Sequence, residues 1–186
     1  HLADPAHGDR QEPAGALTVG LAVTALRDAA ADEVGWVRGS VIGEAPIVAP
    51  LSGRACTYYK IVIEIRDGDG WKRVAYEARG QSFELDDGTG VALVDPGDAT
   101  VEVDYDRQYE LLPDQRVVQP IAELARRFKL PAEPVTIREG VLEVGEVVAA
   151  RGRFVIEVDP DRERGGARRV RVVGPGRERV FVSERS

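Results

Sequence analysis

Histidine is nearly missing from this chain: of 186 residues only His1 and His7 are histidines. Both lie in residues 1–15, a polar stretch with two prolines, two glycines and no apolar periodicity. Such a stretch cannot repay its ordering entropy and is expected to be a disordered tail or linker. Catalysis by a Ser-His-Asp or Cys-His constellation is thereby excluded from residues 16–186, the expected single folded domain. Cysteine occurs once, as Cys56, so no internal disulfide and no thiol cluster for structural zinc or an iron–sulfur centre can form. Neither metal nor cofactor is expected. Asparagine is absent, which removes N-glycosylation. No apolar run reaches the roughly 18 residues that span a bilayer, and the nearest approach, Ala16 to Leu26, is interrupted by Gly20 and Thr24.

What is present is ordinary for a globular protein: 43% hydrophobic and 31% charged residues, a length at which packing alone can hold a core. The net charge of −7 disfavours a nucleic-acid footprint over the whole domain. Positive charge is concentrated locally in one place, Arg162 to Arg179, where Arg168 and Arg169 would be the contacts if the segment met an anionic surface. Glu163 and Glu178 interrupt that patch, and an exposed hairpin face is the preferred reading of it.

Periodicity points to a mainly β protein. Ala16 to Ala31 is alanine-rich, with Leu17, Leu21, Ala25 and Leu26 at three- and four-residue steps, and predicts a helix near residues 20–31. Period two then takes over: Tyr59, Ile61, Ile63 and Ile65 share one face of a strand from about Cys56 to Arg66, with Tyr58, Lys60, Val62 and Glu64 on the other. Asp67-Gly68-Asp69-Gly70 predicts a hairpin turn, with Trp71 to Glu77 as the return strand. Short strands are expected at 82–85, 90–94, 100–103, 146–150 and 153–158, and a closing hairpin-like pair at 168–173 and 179–182. Ile121, Leu124, Ala125 and Phe128 predict a helix near 120–130 that stops before Pro131. The fold class expected is a β-barrel or sandwich, OB-like, with one or two short helices.

Few residues carry chemistry. Cys56 would be a nucleophile only if its thiol were acidified, and Arg54 is the neighbour that could do so; a small buried residue is the ordinary alternative. The carboxylates of Asp86, Asp87, Asp95, Asp98, Asp104 and Asp106 match no calcium loop, and turn formation accounts for them. Gly88-Thr89-Gly90 opens a strand and not a helix, so it is no phosphate cradle.

Residues 39–64, GSVIGEAPIVAPLSGRACTYYKIVIE, resemble the signature of the GIDE domain, also called the beside-a-membrane domain, with Ala49 to Arg54, Cys56, Tyr58 and Tyr59 as the matching residues. Phe83 to Gly90 with Val94, and Glu143 to Val148 with Gly152, resemble its second and third motifs in the expected order, so the likeness covers about residues 35–158 and leaves 159–186 as the terminal hairpin. That family is best known from E3 ubiquitin ligases of the mitochondrial outer membrane, in which a separate RING transfers ubiquitin. A RING needs about eight cysteine and histidine ligands, which this chain lacks, so the resemblance implies a bacterial RING-less relative and no ligase activity. It further implies a non-catalytic recognition domain at a membrane surface, with a protein or lipid partner and with anchors outside these 186 residues. On that reading Arg54, Tyr58 and Trp71 are the candidate ligand-binding residues, beside Arg168 and Arg169. Bland roles stand next to these: Pro50 and Gly53 shaping a turn, Tyr59 packing on the Ile61 face, Arg54 bracing a carboxylate. The rival expectations are an OB-like nucleic-acid-binding domain and a Cys56-dependent enzyme.

Overall fold

The computed structural model of the chain describes residues 22–112, 119–158, 168–174 and 180–183. Its strands are β1 (Val34–Ile42), β2 (Ile47–Val48), β3 (Ala55–Cys56), β4 (Tyr58–Asp67), β5 (Gly70–Gly80), β6 (Phe83–Asp86), β7 (Val91–Val94), β8 (Ala99–Glu102), β9 (Arg107–Leu111), β10 (Val135–Leu142), β11 (Val147–Val158), β12 (Arg168–Val173) and β13 (Val180–Ser183). The one α-helix among the described residues is α1 (Ile121–Phe128).

Five strands close a barrel in the order β1-β6-β7-β12-β11 and back to β1. Ranked along the chain this is 1-2-3-5-4-1, an OB-like order, with β7 and β12 the one parallel neighbour pair in it. Closure leaves no free edge among these five strands. The barrel is filled by Val37, Val41, Leu85, Val94, Val148, Phe154 and Val172, each at most 1% exposed. β13 lies on β11 and carries β8 as a parallel outer neighbour.

A second sheet, β5-β4-β10-β9, is built from two excursions of the chain out of the barrel. Its inner face, Tyr59, Ile61 and Ile63 of β4 with Val135, Ile137 and Val141 of β10, packs against α1 and the β2–β3 hairpin. α1 contributes Ile121, Leu124 and Phe128 to that core and ends with Lys129 in the left-handed region, φ 50°. The helix predicted near 120–130 is thus found. The mainly β, barrel-forming class is as predicted from the alternation of the strands.

Several local expectations are corrected. No α-helix occupies 22–31: Leu26–Asp28 is a single 3-10 turn, and Val23 forms a parallel bridge to Trp36. The Thr24 amide bonds Trp36 O at 2.7 Å and the Leu26 amide bonds Asp87 Oδ2 at 2.7 Å, so the segment is tied down as a strap on the barrel and its helix propensity is overridden. Residues 146–150 and 153–158 are one strand, β11, in which Gly152 lies between the stretch paired with β13 and the stretch paired with β12. A Cβ at Gly152 would stand 2.6 Å from Val173 O, so only glycine allows the strands to part there. The closing pair is not a hairpin: β12 and β13 do not pair with each other but lie along successive parts of β11. The predicted tail at 1–15 and most of the arginine-rich stretch 162–179 lie outside the described residues.

Candidate functional site

The turn from Ala49 to Arg54 is held by its own backbone and by a buried carboxylate. Ala49 and Gly53 amides donate to Arg54 O and Ala49 O, both at 2.9 Å, with Gly53 at φ +72°. Two more amides of the turn, Leu51 and Ser52, point at β10 and donate to Glu139 Oε2 and Oε1 at 2.7 and 2.9 Å. Glu139 is fully buried, and this pair of donors takes over the hydrogen bonds that water would otherwise supply.

Arg54 projects from the end of this turn between Asp106 and Glu143. Its guanidinium meets Asp106 Oδ2 at 3.1 Å and bonds Glu143 Oε2, which raises the guanidinium pKa and holds the Glu143 carboxyl below its ordinary range. Glu146 lies in the same cluster; burial, then the nearby charges of Glu143 and Asp106, push its carboxyl up, while its Oε2 accepts the Glu143 amide at 2.7 Å. Arg54 therefore ties the first resemblance motif to the third, which makes it a brace and not an open ligand contact. Cys56 stands beside this cluster with no exposed surface. Burial, then Glu139 and Glu143, push its thiol up to about 11, so the thiolate that a nucleophile requires is suppressed at neutral pH.

The second motif is also occupied internally. Asp87 accepts the amides of Leu26, Thr89 and Gly90 and the Thr89 hydroxyl at 2.7–3.0 Å. Burial opposes its ionisation, yet these four donors together hold its carboxyl below the ordinary 3.8. The group that fastens the strap over residues 24–28 is this carboxylate.

Of the remaining candidates, Tyr58 is 6% exposed and belongs to the barrel core, so it does not present an open binding surface. Burial raises its phenol well above the usual value. Arg169 donates to Glu84 Oε1 at 2.5 Å across the barrel wall, which removes it from the list of open cations. Arg168 begins β12, and its side chain lies outside the described set.

Trp71 differs: it is 48% exposed and lies on the outer face of the second sheet. The register puts Trp71 opposite Arg66, Arg73 opposite Glu64, Tyr76 opposite Val62, and Thr136 and Arg138 of β10 opposite Glu64 and Val62. Cross-strand partners share a face, so these residues form one surface. On it every cation lies against a ring: Arg66 on Trp71 at 5.5 Å, Arg73 on Tyr76 at 5.6 Å, and Lys60 and Arg138 on Tyr105 at 4.4 and 5.1 Å. Arg138 also pairs with Glu64. Among the described residues Arg66 and Arg73 have no carboxylate partner.

At one end of this face Arg66, Trp71, Glu110, Leu111, Pro134 and Thr136 line an open groove of about 310 Å³. Thr136 is 4% exposed and its hydroxyl has no hydrogen-bond partner; the Arg138 Nε, two residues along the same face, is likewise unpartnered. A buried hydroxyl left unpaired costs about 1–3 kcal/mol, so such a group in a groove wall marks a place where a partner would be favoured. Sequence reasoning nominated Trp71 but not Arg66, Arg73, Tyr76, Tyr105 or Thr136. The signal available was the close spacing of Trp71, Arg73 and Tyr76 along the return strand of the β4–β5 hairpin, a strand with no buried residue.

Among the described residues no group of three or more His, Cys, Asp or Glu side chains is placed to hold a metal ion, and no helix is long and apolar enough to cross a membrane. Comparison of the chain with protein-family models, with curated proteins and with solved structures finds no match.

Proposed function

We propose that this chain is a non-catalytic recognition domain of a membrane-anchored protein, a RING-less relative of the GIDE domain, and that it recognises its ligand through the outer face of the β5-β4-β10-β9 sheet. The observation that carries the reading is the contrast among the nominated residues. Arg54, Tyr58 and Arg169 are spent on internal contacts, while Trp71 is exposed beside Arg66 and Arg73, which among the described residues have rings and no carboxylate for partners. Exposed aromatic and arginine side chains clustered on one surface are the composition of binding hot spots. The membrane part of the reading is supported by the resemblance of residues 35–158 alone. A Cys56-dependent enzyme is disfavoured by the burial and raised pKa of that thiol.

Two measurements test this. The protein expressed from its full reading frame is expected in the membrane fraction after a carbonate wash; recovery in the supernatant would overturn the anchoring. A photoreactive residue at position 71 is expected to give a discrete adduct in cells, whereas one at Glu102, on the far strand β8, gives none. Equal labelling at both positions would overturn the choice of surface.

A further inference from the structure

We infer that the groove beside Trp71 binds a nucleotide unit: a planar heteroaromatic ring carrying an anionic phosphate, presented either by a free mononucleotide or by one residue of a single strand. The inference rests on reading the outer sheet face as the recognition surface and does not depend on anchoring. Three features of the groove converge on this chemistry.

The first is a stacking platform. Trp71 presents its indole half-exposed at the groove, and every nucleobase has a π-face that can stack on such a ring regardless of sequence. The second is the charge balance. The whole chain carries −7, yet this face collects Lys60, Arg66, Arg73 and Arg138 against Glu64 and Glu110. Arg66, in the groove wall, and Arg73, on the same face beyond the lining and against Tyr76, lack carboxylate partners among the described residues and have the fork geometry that takes phosphate oxygens in pairs.

The third is the unpartnered hydroxyl of Thr136. Thr136 is more than nine-tenths buried in the groove wall with its hydroxyl oxygen closed to solvent, and a small shift of that wall would let it donate to or accept from a ring nitrogen, an exocyclic amine or a carbonyl on a base edge. Glu110, on the neighbouring strand β9 and opposite Thr136 in register, adds an acceptor for an amine. The groove's volume, about 310 Å³, lies at the lower end for small-ligand sites and suits one such unit, not a folded partner. A lipid surface would use the cations and the rings but leave the buried hydroxyl unanswered.

The test uses the 1–186 chain with Trp36→Phe, so that Trp71 is the sole tryptophan and its fluorescence reports the groove. Adenosine monophosphate, adenosine, inorganic phosphate, a ten-residue oligothymidylate and anionic phosphatidylglycerol vesicles are titrated separately, with calorimetry on the unsubstituted chain as a check. The expected result is saturable quenching by the mononucleotide, with adenosine and phosphate alone each at least about tenfold weaker because each lacks one of the two contacts. Tighter binding of the oligonucleotide with a steep salt dependence would identify a strand as the source, and tighter binding of the mononucleotide would identify the free form.

Arg66→Ala with Arg73→Ala is expected to weaken binding at least about tenfold through the phosphate. Thr136→Val, which keeps the shape of a buried side chain, is expected to weaken it several-fold while leaving thermal unfolding unchanged or improved. No saturable response to either nucleotide form up to about 5 mM, or binding unaffected by the arginine pair, would overturn the inference. So would binding to the vesicles alone. If the position-71 adduct forms while both nucleotides fail, the surface stands and the ligand class falls; if both fail, the surface itself is wrong.

Discussion

Removing the Glu139 carboxylate tests whether the 49–54 turn is held from below. Glu139→Ala would leave the Leu51 amide as a buried donor without an acceptor and the Ser52 amide partly so, and would open a void where a side chain with no exposure had been. An unpaired buried donor costs about 1–3 kcal/mol and a hydrogen bond to a charged group contributes about 1.5–3 kcal/mol. Allowing water to reach Ser52 but not Leu51, the expected loss is about 3–5 kcal/mol, a large share of the about 5–15 kcal/mol that holds a typical domain. For a chain of this size each kcal/mol is worth about 2–4 °C, so the midpoint should fall by about 6–20 °C. Circular dichroism during thermal and urea unfolding measures this. Glu139→Gln keeps one acceptor oxygen but turns an amide N–H toward the other donor, so it should fall between Ala and the parent. Hydrogen exchange localises the effect, since the Leu51 and Ser52 amides should lose protection before those of the barrel. A change within about 0.5 kcal/mol for Glu139→Ala, or a full loss without faster exchange at Leu51 and Ser52, would refute the proposed hold.

Other outcomes follow from the same geometry. Arg54→Ala leaves Asp106, Glu143 and Glu146 together without their cation and, with these groups about a third exposed, should cost about 1–2 kcal/mol at neutral pH. That deficit should shrink as acid protonates the carboxylates, and a pH-independent deficit in urea unfolding would contradict it. Asp87 has a lowered folded pKa, so its contribution is present above the ordinary 3.8 and is lost as pH falls through the depressed value. The Leu26 amide should therefore lose exchange protection in acid before the barrel amides, and Asp87→Asn should show that loss at neutral pH. Cys56, with its thiol near 11 and no exposed surface, should resist iodoacetamide at pH 8 in the native chain and react readily in denaturant; native labelling at the rate of a free thiol, read by mass spectrometry, would reopen the nucleophile reading.

How much of this was legible depended on how each strand is buried. β4 could be read because its isoleucines face a core on one side while Lys60 and Glu64 meet a more open face on the other. β10 could not, because seven of its eight residues, VTIREGVL, are buried and the alternation disappears. The strap at 22–31 misled because its alanines favour a helix while its hydrogen-bond acceptors lie 12 and 61 residues away, at Trp36 and Asp87, and pairing across such distances leaves no local trace. The same holds for β12 and β13: adjacent in sequence and hairpin-like in pattern, they are separated by their common preference for β11. At the candidate site the brace role of Arg54 was readable from its charge beside a turn, whereas the groove was not. Arg66, Glu110 and Thr136 come from three strands, and an unpartnered hydroxyl has no signature in a sequence.

The two excursions that build the second sheet carry a consequence for synthesis on the ribosome. β4 and β5 emerge early, but their sheet lacks its central partner β10 until residue 142 has appeared, and the barrel lacks β12, the strand that closes it, until residue 173. Neither core can close from the first half of the chain. Chains truncated between β11 and β12 should therefore expose β7 and one side of β11 as unpaired edges, and a nascent chain stalled there would need a holding chaperone where a sequentially wound protein would not.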